Sequence, residues 1–348
     1  MSVETDPVEQ LLPASLRAAL ARRELLLRRP VAGARHGVHR SLRPGVGRDF
    51  RDYRAYVPGD DPRRLDWRAA ARSQRLVVRQ TESQEELTLT LIVDGSGGMS
   101  YGEGTTNKWG RAGTLATALT SLALRQGDGV GLVIGGQGEV DGQLLEAAAR
   151  RDRLRTVAER FVSREPGGDC PWQPLLATAA ARLRPRSLVM VISDFLDPGG
   201  LELSGERFGE DEGEDDGEDR RADEALLRDL GLLRAAGHDV VLIQLLHRDE
   251  LDFPWDQPRV LQLEDPRVRR PVVEGSGAGM RDDYLARLDA HLRWLEQGCE
   301  RGGMLLVRSV SDDEPAGQLL DLLARLAGAP VDAVMHEGGG ESGRGSRR

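Results

Sequence analysis

Acidic and hydroxyl side chains follow two apolar runs of this sequence, at positions where they could ligate a metal ion. Asp94 ends one run and has Ser96 two residues further on, while Asp194 follows Ser193 at the end of another. Asp169 lies in a Gly-rich loop shortly before a predicted helix. Carboxylate and hydroxyl oxygens suit a hard divalent cation such as Mg²⁺. The spacing alone leaves two interpretations open: these residues form a metal site, or each Asp only caps a following helix or loop.

A second group of charged residues surrounds a tryptophan upstream of these runs. Acids and arginines alternate there, and an Arg guanidinium matches a carboxylate bidentately. The segment is therefore interpreted either as an intramolecular ion-pair network or as a partner-binding surface. Because acids are interleaved with the arginines, nucleic-acid binding is disfavoured. The candidate partner-binding residues are Arg63, Arg64, Asp66 and Trp67.

Short apolar runs alternate with helical patterns from residue 87 onward. Strands that are buried on both faces and separated by helices are typical of a parallel sheet with helices on each side. In such sheets ligands bind at the carboxyl ends of the strands, where Asp94 and Asp194 are expected. The predicted fold is α/β, a doubly wound mostly parallel sheet with helices on both faces. The predicted strands are Leu87–Val93, Val130–Ile134, Ser187–Ser193, Asp239–Leu246 and Met304–Val310, and the predicted helices are Lys108–Arg125, Leu144–Val162, Trp172–Leu183, Ala222–Ala236 and Asp282–Cys299.

The remainder of the chain divides by composition. Residues 1–29 contain a predicted amphipathic helix, Pro7–Arg29, and residues 30–86 form a basic segment with short strands. Residues 87–330 form the main domain. Its insertion 202–224 holds 12 acids and 3 arginines and is predicted to be disordered, as is the tail 331–348.

Charge and cysteine content exclude several classes of protein. The net charge of −9 equals the charge of the acidic insertion, so the rest of the chain is neutral and does not resemble a basic nucleic-acid binder. Two distant cysteines, Cys170 and Cys299, cannot form a disulfide framework. We find no signal-peptide pattern and no apolar run of transmembrane length, so a cytoplasmic location is expected.

Three stretches of the sequence resemble known families. Asp94-Gly-Ser96-Gly-Gly-Met99 resembles the Asp-x-Ser-x-Ser-Met loop of von Willebrand factor type A domains. Tyr56-Val-Pro-Gly-Asp-Asp-Pro-Arg-Arg-Leu-Asp-Trp67 and Ser193-Asp-Phe195 are similar to the signature of the domain-of-unknown-function 58 family. The similarity covers roughly residues 30–325. It implies a von Willebrand factor A-like domain with a family-specific N-terminal segment.

The resemblance also implies a function. Members of this family are paired with MoxR-type AAA+ ATPases, which implies an ATPase partner in protein complex assembly or maturation. Asp94, Ser96 and Asp194 match the metal-ion-dependent adhesion site, which would bind Mg²⁺ or another divalent cation and accept a partner's acid. Gly98 stands where a second serine is expected, and Asp169 where a threonine is expected. The altered site is therefore expected either to keep a metal with Asp94, Ser96, Asp169 and Asp194 as ligands, or to be a metal-free scaffold.

Enzymatic alternatives have weaker support from the sequence. Ser96, Asp194 and His238 occur in the chain order of a hydrolase triad, but the Gly-x-Ser-x-Gly motif has Asp94 at its first position. The only lysine, Lys108, follows Asn107 rather than glycine, so the phosphate-binding Gly-x-x-x-x-Gly-Lys motif is absent. We therefore expect a noncatalytic protein-binding role.

Overall fold

A computed structural model of the chain describes residues 5–26, 41–56, 65–67, 69–70, 76–83, 87–140, 144–196, 216–255, 260–265 and 270–328. The chain divides into two compact units. The larger unit combines Met1–Leu25 with Leu87–Arg348, and the smaller unit is Leu26–Glu86. The predicted boundary at residue 86 agrees with this division, but the N-terminal helical region belongs to the larger unit.

A seven-stranded, mostly parallel sheet forms the centre of the larger unit. Its strands run in the order β11-β8-β7-β3-β4-β5, all parallel as far as β4, and β5 and β6 each pair antiparallel with β4. The sheet confirms the predicted α/β fold class. Its strands are β3 (Thr88–Asp94), β4 (Gly129–Gly136), β5 (Glu139–Val140), β6 (Leu145–Ala148), β7 (Leu188–Ser193), β8 (Asp239–Leu246) and β11 (Leu305–Val310).

Nine helices are described, and most of them connect the strands of this sheet. They are α1 (Pro7–Leu11), α2 (Ala14–Leu20), α3 (Lys108–Gln126), α4 (Arg153–Val162), α5 (Trp172–Ala180), α6 (Asp216–Ala235), α7 (Arg248–Asp252), α8 (Gly277–Gly302) and α9 (Pro315–Leu326). The ends of α3 follow from its sequence. The side chain of Asn107 accepts a hydrogen bond from the Gly110 N–H at the start, and Gly127 ends the helix in the left-handed conformation.

Helices cover both faces of the sheet. Buried residues of α5, α6 and α8 pack against one set of alternating strand positions, such as Val189 and Val191 of β7. Helix α3 contacts β3, β4 and β8, and it also contacts α4 and α9. Because successive strand residues point to opposite faces, Met190 and Ile192 are buried on the other side. The result is a three-layer core.

The N-terminal prediction of one helix from Pro7 to Arg29 is wrong. The chain forms two short helices, α1 and α2, on either side of Pro13. Proline has no N–H to donate within a helix, and its ring clashes with the preceding turn, so it ends one helix and begins the next. The Arg125 guanidinium of α3 donates to the carbonyls of Leu20, Ala21 and Arg23, which holds this region on the sheet domain.

Two further boundaries differ from the prediction. The predicted helix Leu144–Val162 is instead strand β6 followed by α4, because residues 145–148 add to the exposed edge of β4. Helix α6 begins at Asp216, within the insertion that was predicted to be disordered. The predicted disorder of residues 202–215 and of the tail 331–348 concerns segments outside the described residues.

Two pairs of antiparallel strands complete the fold. In the smaller unit β1 (Ser41–Ala55) pairs with β2 (Val77–Ser83) through several register shifts, so its strands include one of 15 residues rather than only short ones. In the larger unit β9 (Val260–Asp265) pairs with β10 (Arg270–Ser276). Among the described residues, no helix has the length and apolarity needed to cross a membrane.

Candidate functional site

The carboxyl ends of β3 and β7 place the predicted acids at one edge of the sheet. Val93 and Ile192 are partners in the parallel register of these two strands, so Asp94 and Asp194 emerge side by side. Asp94 and Ser96 have no exposed surface, and Asp194 is 2% exposed. The structure thus brings three of the four predicted metal ligands together in a buried position.

The Asp94 carboxylate is held by two hydrogen bonds. The backbone N–H of Ser96 donates to Oδ1 over 2.8 Å, and the hydroxyl of Ser193 donates to Oδ2 over 2.6 Å. Burial raises the pKa of Asp94, the neighbouring charge of Asp194 raises it further, and the result is a pKa of about 6. Two acids in this position therefore repel each other and need a nearby positive charge.

Lys108, the first residue of α3, supplies that charge. Its Nζ lies 2.7 Å from Oδ2 of Asp194 and 2.6 Å from Oε1 of Glu250, and its side chain is 1% exposed. Burial alone would lower the pKa of Lys108. The attraction of the two carboxylates outweighs burial, so the pKa is raised and the lysine stays charged. A buried ammonium between two acids is therefore the centre of the site.

Glu250 reaches the site from α7, directly after β8. Its Oε1 accepts from Lys108, and its Oε2 accepts from the backbone N–H of His247 over 2.7 Å, as part of a capping box. Burial raises the pKa of Glu250, and the attraction of Lys108 partly offsets this effect. The ring of Tyr101 covers the ammonium at 5.8 Å. Glu250 is therefore the second carboxylate that binds the Lys108 ammonium.

Gly98 lies next to the Asp194 carboxylate, and the Ser96 hydroxyl lies next to Gly98. The Ser96 hydroxyl oxygen is buried and makes no hydrogen bond of regular geometry, although it is close enough to the Asp94 carboxylate to lower the pKa of that acid. A Cβ atom added to Gly98 would lie 2.8 Å from Oδ2 of Asp194 and 3.8 Å from the Ser96 Oγ. Cβ atoms are essentially never found within 3.0 Å of another heavy atom, so a serine at position 98 would displace the Asp194 carboxylate.

Asp169 lies at the same edge but in a different environment. Its loop is joined to the loop after β3 by the hydrogen bonds Gly97 N–H to Gly168 O, 2.8 Å, and Gly167 N–H to Gly95 O, 2.9 Å. However, Asp169 is exposed whereas the other three predicted ligands are buried. Across the described ranges, no three His, Cys, Asp or Glu side chains are grouped in a way that could hold a metal ion.

These observations bear on whether a divalent cation fits. The buried Ser96 hydroxyl is a suitable ligand, but Oδ2 of Asp194 already binds the Lys108 ammonium. A metal ion at this carboxylate would meet a fixed positive charge, which repels it. The residues therefore fit a bound divalent cation poorly, and metal binding through Asp94, Ser96, Asp169 and Asp194 stays a prediction.

The predicted partner-binding residues belong to the smaller unit. The Asp66 carboxylate accepts a hydrogen bond from the Ala69 N–H over 3.0 Å, and the Trp67 side chain is 65% exposed. Arg63 and Arg64 lie outside the described residues, so the predicted ion-pair network stays a prediction. An exposed tryptophan is a common anchor in protein interfaces.

The alternative of a hydrolase triad is wrong. His238 precedes β8 at the amino end of the sheet, where its Nδ1 accepts from the Ser187 N–H. Ser96 follows β3 at the carboxyl end. Because the two strands are parallel, the length of a strand, on the order of 20 Å, separates the histidine from the serine. His238 therefore cannot act as a base for Ser96.

Sequence reasoning missed Lys108 and Glu250, which lie 142 residues apart in the chain. One signal was available: Lys108 is the only lysine among 48 basic residues. A chain that uses arginine everywhere else has a lysine where a compact charge must be buried.

The fold and site define an α/β domain with a buried acid–lysine cluster at the carboxyl edge of its sheet. The family model "Protein of unknown function DUF58" matches residues 52–292, and the chain belongs to this family. The uncharacterized protein Rv1480 of Mycobacterium tuberculosis is 29% identical over 281 residues, covering 79% of this chain and 78% of that protein, and Mb1516 of Mycobacterium bovis has the same values.

Solved structures also align with this chain at low sequence identity. An aerotolerance-related membrane protein from Bacteroides fragilis aligns with a TM-score of 0.38 and 12% identity, over 68% of this chain and 97% of that chain. The SpRpn10 VWA domain aligns with a TM-score of 0.35 and 8% identity, over 67% of this chain and 93% of that chain.

Proposed function

We propose that this protein is a noncatalytic adaptor that binds a partner protein at the carboxyl edge of its central sheet. The observation that carries the proposal is the convergence of Asp94, Ser96 and Asp194 on that edge. Ligands of open α/β sheets bind there. The predicted triad is not assembled, which removes the one enzymatic mechanism that the sequence suggested.

The proposed partner is a MoxR-type AAA+ ATPase, on the basis of the family resemblance. In this division of work the ATPase hydrolyses ATP, and the adaptor recognises a client in the assembly or maturation of a protein complex. The chain has no Gly-x-x-x-x-Gly-Lys motif of its own. A cytoplasmic location for this pair is part of the proposal.

A metal-free version of the adaptor is the second candidate, and one observation favours it over the metal-bearing version. The metal-bearing version would place Mg²⁺ at Asp94, Ser96, Asp169 and Asp194. The ammonium of Lys108 is already within hydrogen-bond distance of Asp194, and a second cation at the same carboxylate would be repelled.

Exposed residues of the edge provide the test, because changing them leaves the buried cluster intact. Gln137 and Asp169 are exposed, and their loops are joined by the hydrogen bond from the Gln137 N–H to the Gly167 carbonyl. We expect Gln137→Arg/Asp169→Arg to weaken binding to the purified MoxR-type ATPase of the same genome at least tenfold, measured by calorimetry or biosensor. Asp152→Arg, at an exposed position before α4, is the control and should bind as wild type. Unchanged affinity of the double variant would refute recognition at this edge.

A further inference from the structure

We infer that the Lys108 ammonium takes the place of a divalent cation in this site, and that position 98 is glycine because of this replacement. The inference rests on the site of the proposed function but concerns its chemistry, not its partner. It follows from the contacts of Lys108, from the space around Gly98 and from the position of Glu250.

The contacts of Lys108 are those expected of a bound cation. Two carboxylate oxygens, from Asp194 and Glu250, lie 2.7 and 2.6 Å from one nitrogen. The two acids come from different elements, the end of β7 and helix α7, so the ammonium links segments that a metal ion would otherwise link. An ammonium is a compact point charge on a flexible stem, whereas a guanidinium is broad and planar. This difference explains a lysine at a position with 1% exposure.

The space around Gly98 is the second observation. The Cβ of any residue at position 98 would approach the oxygen of Asp194 that accepts from Lys108, at 2.8 Å. A serine at position 98 and the ammonium at position 108 therefore compete for the same carboxylate oxygen. The missing serine and the buried lysine are two parts of one arrangement.

The third observation is that Glu250 completes the arrangement from within the chain. In an adhesion-type site the cation keeps an open position for an acid of the partner. Here Glu250, an acid of this chain itself, binds the ammonium and is held in place by the His247 N–H. Both the positive charge and the acid that binds it are thus covalent parts of this protein. Partner binding at the edge is therefore independent of divalent metal.

Metal titration of the wild-type protein is the first test. We expect no binding heat and no shift of the melting temperature with millimolar Mg²⁺ or Mn²⁺. Lys108→Ala removes the ammonium and leaves the Asp194 and Glu250 carboxylates without a cation. This variant should therefore melt at a lower temperature than the wild-type protein, and Mn²⁺ should raise its melting temperature. Lys108→Ala/Asp194→Asn is the control and should not recover. Saturable metal binding by the wild-type protein at the Asp94 site, abolished by Asp94→Asn, would overturn the inference.

Position 98 provides a second test that does not depend on the folding of Lys108→Ala. Gly98→Ser should lower the melting temperature of the wild-type protein, and Mn²⁺ should not restore it. Gly231→Ser is the matched control, because a Cβ at Gly231 of α6 meets no atom within 4 Å. In the Lys108→Ala background, Gly98→Ser should cause a smaller loss and strengthen the response to Mn²⁺. Equal losses at positions 98 and 231 would refute the link between glycine and lysine.

Measuring the affinity for the ATPase with and without a chelator distinguishes a failure of this inference from a failure of the proposed function. Wild-type protein treated with a chelator should bind the ATPase with unchanged affinity if both are correct. If the ATPase does not bind at all, the proposed function fails, while the metal titrations still decide the role of Lys108. If binding occurs but is lost with the chelator and regained with Mg²⁺, the inference fails and the proposed function stands.

Discussion

Replacing Lys108 with methionine tests how strongly the buried cluster stabilises the domain. Methionine has nearly the length of lysine but no charge, so Asp194 and Glu250 would face each other in a buried position without a cation. Lys108 and Asp194 have side-chain exposures of 1% and 3%, and Glu250 has 13%. Removing one partner of a buried ion pair costs about 3–5 kcal/mol, because the remaining charge is uncompensated.

The control for this loss is an exposed ion pair of the same domain. Arg155 and Glu159 of α4 are 2.8 Å apart, with side-chain exposures of 65% and 48%. Exposed pairs contribute roughly 0–1 kcal/mol, so Arg155→Met should have little effect. The measurement is urea unfolding at constant pH, followed by circular dichroism and by the fluorescence of the five tryptophans.

A third variant separates lost charge pairing from lost packing. In Lys108→Met/Asp194→Asn/Glu250→Gln no charge of the ion pair remains, and replacing all members of a buried ion cluster is much less destabilising than removing one. We therefore expect the triple variant to regain most of the loss. If Lys108→Met loses no more free energy of unfolding than Arg155→Met, the ammonium does not compensate the two acids and the reasoning is refuted.

Three other predictions concern positions outside the cluster. Burial lowers the pKa of His291, so below about pH 6.5 the imidazole takes up a proton more readily in the unfolded chain than in the folded one. The stability of the wild-type protein should therefore fall as the pH is lowered. Urea unfolding at several pH values should show a smaller fall for His291→Gln. Gly136 has a φ of 149°, and an added Cβ would overlap the Gly95 carbonyl oxygen. Gly136→Ala should therefore lower the free energy of unfolding by roughly 1–3 kcal/mol. Its control, Gly231→Ala in α6, should leave the free energy of unfolding unchanged or raise it in the same assay. Arg125→Ala removes three hydrogen bonds to Leu20, Ala21 and Arg23, so hydrogen exchange should accelerate in residues 5–26 while the sheet stays protected; equal protection in wild type and variant would contradict this anchoring role.

The central sheet was predictable because its signals are local. Each parallel strand is buried on both faces, so it appears in the sequence as an uninterrupted apolar run such as Leu188–Ser193. The start of α3 was equally clear, since Asn107 caps the helix at the position where a periodic pattern begins. The positions of Asp94 and Asp194 then followed from the rule that parallel strands end at the same edge.

The errors occurred where distant contacts decide the structure. Residues 145–148 have an alanine-rich composition compatible with helix, yet they form β6 because β4 offers an unpaired edge. Nothing near these residues in the sequence indicates that edge. The break at Pro13 was indicated locally, because proline has no N–H to donate inside a helix. The prediction gave more weight to the periodic spacing of the leucines and therefore missed it.

Lys108 illustrates a different limit of sequence reasoning. Its acids lie 86 and 142 residues further along the chain, so no short motif contains the cluster. Asp94 and Asp194 together suggested a missing cation, and the resemblance suggested that the cation is a metal. The sequence could not show that a helix begins at Lys108 in a position where its ammonium reaches both carboxylates.

A covalently attached cation changes how such a site behaves. The occupancy of a metal site depends on the concentration of free metal, whereas the ammonium of a lysine side chain remains in place at any concentration of metal or chelator. The Lys108 ammonium already binds two carboxylates of this chain and its side chain is 1% exposed, so it is not accessible to an acid from a partner in this conformation. The proposed recognition at this edge would then use its exposed surface, which includes Gln137 and Asp169.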